Sequence, residues 1–332
     1  MALATANVPA ARAPRGPQVT AERARLKRKA GRRRRLTVLV LLSPWIIGFL
    51  VFTLYPICIS LYWSFTRYGF GTNAPEWVGL RNYTYLFTQD PNLKQALFNT
   101  VYLAAIGLPL RLFAAIFAAS LLTRPVRGVG MYRLFFYIPT LVPAVASAIL
   151  FSFLLQPEYG PVNLILRHLG VDNPPLWFYD STWAKPALIT ISLWGIGDTM
   201  LVFLAGLVDV PRSLYEAVEV DGGRWWAKFR HVTLPLISPV TFFVLITGVI
   251  GVLQAFDEAY VGTRVAGGPE APLGAPEGSL LTYPVLQYSV FTHNRIGYAS
   301  ALAWVLFLIT MVLTLIVMAS RRKWVYAAGG DS

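Results

Sequence analysis

Apolar residues gather along this chain in six runs, separated by shorter stretches where Pro, Gly and charge collect. A hydrocarbon core of about 30 Å is crossed by roughly 20 helical residues rising about 1.5 Å each. The runs cover about 38–64, 96–122, 131–155, 187–208, 238–262 and 298–320, and they predict an all-α polytopic membrane protein with six transmembrane helices. Pro56, Pro109, Pro139 and Pro143 fall within runs, and each removes a backbone hydrogen bond that something else must replace. Two readings fit "IPTLVP" at 138–143: an ordinary packing kink, or a bend beside a transport path.

Composition agrees with the pattern, since 55% of the 332 residues are hydrophobic and 14% charged. The mean hydropathy of +0.53 exceeds what one soluble core of this length needs. A net charge of +13 suggests nucleic acid until the cations are placed. Eleven of them, from Arg12 to Arg35, precede the first apolar run. Residues 1–35 lack apolar periodicity and are expected to be a disordered basic tail that fixes topology and touches membrane lipid, not nucleic acid. Arg127, Arg133, Arg212, Arg224, Lys228, Arg230, Arg321, Arg322 and Lys323 mark the same side, so both termini are expected in the cytoplasm. The loops at 65–95, 156–186 and 263–296 then face outward. The first run is longer than a signal-peptide core and no A-x-A site closes it, so cleavage is not expected.

The single cysteine, Cys58, excludes an intramolecular disulfide, and His168, His231 and His293 are too scattered to suggest a metal site. Arg111, Asp198, Gln254, Asp257 and Glu258 lie within or at the edge of runs, where a central charge costs about 2.5–3.5 kcal/mol. Trp194, Asp198, Gln254, Asp257 and Tyr260 form the candidate lining of a polar solute pathway. The alternatives are a buried pair or a partner contact for Arg111 and Asp198, and a wet position near the outer interface for Asp257 and Glu258.

One polar interruption between runs is "EAVEVDGGRWWAKFRHVTLPLISP", 216–239. Ser213 and Glu216 have capping-box spacing, which predicts a helix starting near Leu214. Asp221-Gly222-Gly223 predicts its stop, because glycine takes the left-handed conformation at low cost. A second amphipathic piece comes next, with Trp225, Trp226, Phe229 and Val232 expected to hold it against the bundle. Pro235 and Pro239 suit the first turn of the next span. Local physics leaves two uses open: a rigid docking element, or an interfacial hairpin that only links two spans.

Glu216-Ala217, Gly222 and Val232-x-Leu234-Pro235 resemble the EAA-x3-G-x9-I-x-LP loop of permease subunits of binding-protein-dependent ABC importers, with Val218 and Val232 as departures. "WVGLRNYTYLF", "YIPTLVPAVASAILFSFLLQPEYGPVN", "RIGYASALAWVLFL" and "RKWVY" are similar to the carbohydrate branch of that family, those importing maltose, multiple sugars and glycerol-3-phosphate. Gly267-Gly268-Pro269 is similar to its GGP, although the outer stretch 263–285 looks expanded.

The resemblance spans roughly 38–326. It implies a transmembrane permease domain at 36–326 with a type-1 core at about 95–320, a coupling loop at 211–236 and a short tail at 327–332. It also implies a non-catalytic subunit of the bacterial inner membrane forming half the translocation pathway for a sugar or sugar-like solute. Glu216, Ala217, Asp221, Gly222, Leu234 and Pro235 would couple it to a separate ATPase. The implied partners are a second permease of similar fold, two ATPase subunits and an extracytoplasmic solute-binding protein. No G-x-x-x-x-G-K-[ST] occurs, so this chain supplies no nucleotide site, and ATP with its Mg belongs to the partner. The competing reading, an autonomous ion-coupled secondary transporter, calls for inverted repeats and a midplane carboxylate.

Overall fold

The computed structural model describes residues 37–71, 74–123 and 127–325; the basic tail expected at 1–35 and the short tail at 327–332 lie outside them. Helix α1 runs Thr37–Ser64. Residues up to Ser60 form one unit and those from Leu61 another, and the packing below lies within the second.

A small antiparallel hairpin, β1 (Thr66–Arg67) with β2 (Glu76–Trp77), precedes α2 (Arg81–Thr88) and the long α3 (Asn92–Leu122). Next come α4 (Val129–Tyr137), a 3-10 turn (Ile138–Leu141), α5 (Ala144–Leu154), α6 (Pro161–His168), α7 (Ala184–Trp194) and α8 (Gly197–Val208). The polar interruption holds α9 (Arg212–Val220) and α10 (Trp225–Lys228). The chain closes with α11 (Ser238–Leu253), α12 (Asp257–Gly267), α13 (Tyr283–Thr292) and α14 (Ile296–Trp324).

Among the described residues, four helical stretches are singly long and apolar enough to cross a membrane: α1, α3, Ser238–Gly267 and α14. The third and fourth expected spans are each two helices, α4 with its 3-10 turn meeting α5 at 101° and α7 meeting α8 at 49°. The sharper break follows from its prolines. Pro139 enters the 3-10 turn, and Val142 and Pro143 are extended before α5 starts. The fifth run continues past 262 to Gly267, with a break at its middle.

Three other prolines leave a different mark. Widened π segments occupy Leu50–Leu54, Leu103–Gly107 and Phe229–Thr233, and Pro56, Pro109 and Pro235 each follow two residues later. A helical proline clashes with the carbonyl four residues back, here that of Phe52, Ala105 or His231. Each of those residues is the middle one of its π segment, so local widening absorbs the clash without ending the helix.

Two buried clusters hold the second unit together. One joins Leu93 and Ala96 of α3 to Phe151, Ala187, Leu188, Tyr283, Leu286, Tyr298 and Leu302. The other sets Ala115, Ala118 and Ala119 of α3 against Met200, Phe203 and Leu204 of α8, with Val232, Ile237 and Val244 alongside. Small residues on α3 allow close backbone approach, the usual basis of helix association in lipid. The stretch 268–282 is pinned rather than loose: Asn99 donates to the carbonyls of Gly278 and Leu281, and the Tyr283 amide donates to Thr100 Oγ1 at 2.9 Å.

Gly197 starts α8 where its Cα lies against the backbone of Phe136 and Tyr137, and a Cβ there would overlap the Phe136 carbonyl oxygen. Gly197→Ala is therefore expected to destabilise the fold by about 1–3 kcal/mol, read as a lower thermal midpoint in detergent. Gly251→Ala, where a Cβ meets nothing within 4 Å, should leave the midpoint unchanged or raised; equal shifts in both variants would refute the packing argument.

Candidate functional site

The polar interruption folds as a compact elbow. Pro211, extended at ψ 130°, caps α9, and helix begins at Arg212 rather than near Leu214. The expected capping box is absent: Ser213 sits inside the first turn, and no side-chain hydrogen bond caps the helix. The reason is Pro211, whose ring fixes the capping φ and disfavours helix at Val210, so the helix starts immediately after it.

The stop agrees with the sequence expectation. Gly222 has φ +75°, its amide donates to the Glu219 carbonyl at 2.9 Å, and the Gly223 amide donates to Val218 at 2.8 Å. These two bonds make a Schellman motif, which satisfies carbonyls the helix end leaves free.

Two cross-links fix α9 to α10 and to the π segment after it. Tyr215 Oη lies 3.1 Å from Oγ1 of buried Thr233, and Lys228 Nζ pairs with Glu219. Tyr215 and Val218 pack on the second buried cluster, so α9 turns one face to the bundle. Glu216, Ala217, Asp221 and Gly222 are exposed on the other side. Leu234 and Pro235 lie in a short helical turn, Leu234–Leu236, that runs into α11.

The Trp/Phe expectation needs correcting. Val232 is buried, but Trp225 and Trp226 are 66% and 58% exposed; Trp225 stacks on Phe229, and Trp226 sits tilted against both. Their ring contacts stay within one turn of helix, which leaves their outer faces uncovered.

Among the polar residues within the apolar runs, Arg111 and Asp198 form an ion pair at 3.0 Å; the pairing matches one of the alternatives the sequence left open, but Asp198 is largely exposed and the pair is not buried. The same Arg111 nitrogen donates to the Gly195 carbonyl at 3.0 Å. Gly195 and Ile196 separate α7 from α8, so a side chain from α3 meets both a carbonyl freed at that break and an acid in the first turn of α8. Trp194 packs edge-on against Phe151. Tyr260 sits among Phe256, Tyr288 and the Arg264 guanidinium. Gln254 and Asp257 flank the break between α11 and α12. The candidate pathway residues thus cluster at two helix breaks, not on one continuous face.

None of the five lines the described cavity of about 880 Å³, which is bounded by the hairpin, α2 and the start of α14. Arg81, Asn82, Tyr85, Arg295 and Tyr298 fall within the family-like stretches 77–87 and 295–308, but they belong to no catalytic or metal-ligand pattern and so carried no site role in the sequence.

Over residues 111–324 the sequence matches the family described as "Binding-protein-dependent transport system inner membrane component". It is similar to the probable ABC transporter permease protein YesP of Bacillus subtilis, 38% identical with 90% of this chain and 95% of that protein covered. It is also similar to the sulfoquinovosyl glycerol transport system permease protein SmoG of Agrobacterium fabrum, at 34% identity with 87% and 91% covered. In fold it is similar to a bacterial ABC transporter involved in the import of the acidic polysaccharide alginate, with TM-score 0.75, 24% identity, and 90% of this chain and 99% of that one covered.

A double-mutant cycle on Arg111→Gln and Asp198→Asn, read by thermal unfolding in detergent, is expected to give a coupling energy of about 1 kcal/mol. Arg111→Gln should cost more than Asp198→Asn, because it also strips the Gly195 carbonyl of its donor. Additive effects with equal single costs would overturn this role.

Proposed function

The chain belongs to the binding-protein-dependent transport system inner membrane component family, and from that premise we propose that it carries a sugar or sugar-like solute and is driven through its 211–236 elbow. It is a multi-pass permease subunit of an ABC importer, without catalysis of its own. A sugar cargo is supported by relatives named for sugar derivatives. The autonomous ion-coupled carrier is not favoured, because the relatives are ABC permeases along most of their length.

One observation carries the coupling role: α9 is held rigid on one side and bare on the other. The Schellman stop, the Tyr215–Thr233 contact and the Glu219–Lys228 pair leave it no freedom to absorb a push. Its outer face presents Glu216, Ala217, Asp221 and Gly222, with Val220 88% exposed. A linking hairpin has no need for such cross-bracing. A separate ATPase subunit fits this surface, two such subunits serving this chain and a second permease of similar fold. ATP and its Mg are then held by those subunits, while Leu234 and Pro235 pass the movement into α11. In this arrangement the elbow and both termini face the cytoplasm, and the 65–95, 156–186 and 263–296 loops meet the solute-binding protein outside.

Gly222→Pro cannot adopt φ +75°, and Glu216→Lys reverses the charge of the bare face. Each is expected to weaken co-purification of the ATPase by about tenfold or more and to lower ATP-dependent uptake in parallel. If association and uptake both survive the two changes, the coupling assignment fails. Uptake by the chain alone in liposomes, driven by an ion gradient, would instead restore the carrier reading.

A further inference from the structure

Helix α6, Pro161–His168, is built with two unlike faces. Val162, Asn163 and Leu166 turn inward, and Asn163 is fully buried. Its amide donates to the carbonyls of Pro157 and Pro175 at 3.2 and 2.9 Å, and its side-chain oxygen accepts from Trp177 Nε1 at 2.7 Å. The other side carries Leu164 and Ile165, both exposed, Ile165 at 60%. Leu169, 75% exposed, closes the helix, and Val171 and Leu176 beyond it are exposed too. A helix this short does not persist in water by itself, and the buried asparagine already holds it. Folding therefore gives no reason for the outer side to be apolar.

The position of α6 decides what meets that side. It lies between α5, ending at Leu154, and α7, beginning at Ala184, while the elbow follows α8; α6 thus belongs to the end of the α7–α8 apolar stretch away from the elbow. Contacts tie it to both neighbours there. The Tyr159 ring packs 6.3 Å from Phe153, an exposed residue of α5, so the uncovered apolar surface of α5 continues into the loop. Trp177, which holds Asn163, packs edge-on against Trp183 just before α7. Tyr and Trp gather where hydrocarbon gives way to headgroups, and Lys185, in the first turn of α7, marks the same level. The cations of α6 itself are engaged with backbone. Arg167 donates from its two terminal nitrogens to the carbonyls of Glu158 and Pro157 at 3.3 and 3.1 Å, and His168 Nδ1 lies 2.8 Å from the Leu164 carbonyl.

We propose that α6 is an interfacial helix lying in the plane of the bilayer, with Leu164, Ile165 and Leu169 sunk into the boundary between headgroups and acyl chains. Lipid is the occupant because the apolar side continues the uncovered surface of α5 at the level of the aromatic belt. With Arg167 and His168 turned to carbonyls, the attraction is apolar and does not select anionic headgroups. The polar turn at Asp172 and Asn173, both exposed, stays in water. In this position α6 acts as a float that holds the end of α5 and the start of α7 at one depth.

The test attaches a nitroxide, one position at a time, to Ile165→Cys, Leu169→Cys and Asn173→Cys, each in a Cys58→Ser background, with the full importer complex in phosphatidylcholine nanodiscs. Collision with oxygen, which concentrates in lipid, is compared with collision with a nickel chelate, which stays in water. The oxygen-to-nickel ratio at 165 and 169 is expected to exceed that at 173 by about fivefold or more, and to change little when half the lipid is phosphatidylglycerol. Equal ratios at the three positions would overturn the proposal. Low collision with both reagents at 165 and 169, the signature of a protein partner over this face, would overturn it too, as would a high ratio seen only in phosphatidylglycerol. All three positions are exposed, and two apolar ones keep the test open if one variant fails to assemble.

Discussion

Inside a bilayer no water is available to a freed peptide group, so every departure from regular helix has to be answered from within the protein. This chain departs often, and the answers organise its architecture. Where prolines fall inside a continuing helix, a π segment widens the coil around the carbonyl that the ring would strike. Where a helix stops mid-span at Gly195, an arginine from the neighbouring α3 reaches the orphan carbonyl and the acid just beyond it. A charge pair that looks expensive from composition is therefore tied to a broken helix, and its position follows from the break.

The same economy explains the elbow. A helix end facing water needs less help, since solvent accepts the spare bonds. Yet α9 is closed by both Schellman bonds, cross-linked to Thr233 and paired to Lys228. Order beyond what solvation demands costs conformational entropy, and it is sensible where the element must transmit movement. On the proposed coupling role, the bare outer face and the braced inner face are two halves of one device.

Much of this was legible in the sequence. Hydrophobic runs located the long apolar helices and the two bent helix pairs to within a few residues, because lipid leaves only one solution for a long apolar stretch. Gly222 announced the helix stop through its conformational freedom. The capping box was misread because spacing alone does not reveal that Pro211 already owns the cap. The Trp225 and Trp226 rings were misread because amphipathic periodicity shows that a face is apolar, not which neighbour it meets. The Arg111–Asp198 pair stood as one open alternative, since 87 residues separate its partners and no local pattern links them. The cavity around Arg295 was illegible for the same reason: hairpin, α2 and α14 converge there from distant parts of the chain.

Helix α14 has one property that the broken spans lack. Its 29 residues run without a proline or a π segment. A stiff rod of that length converts a tilt of about 5° at one end into a displacement of about 4 Å at the other. A hinged span would dissipate such a tilt at its break. A shift imposed at the Trp324 end therefore reaches the Tyr298 end mechanically undiminished, and the same geometry works in reverse.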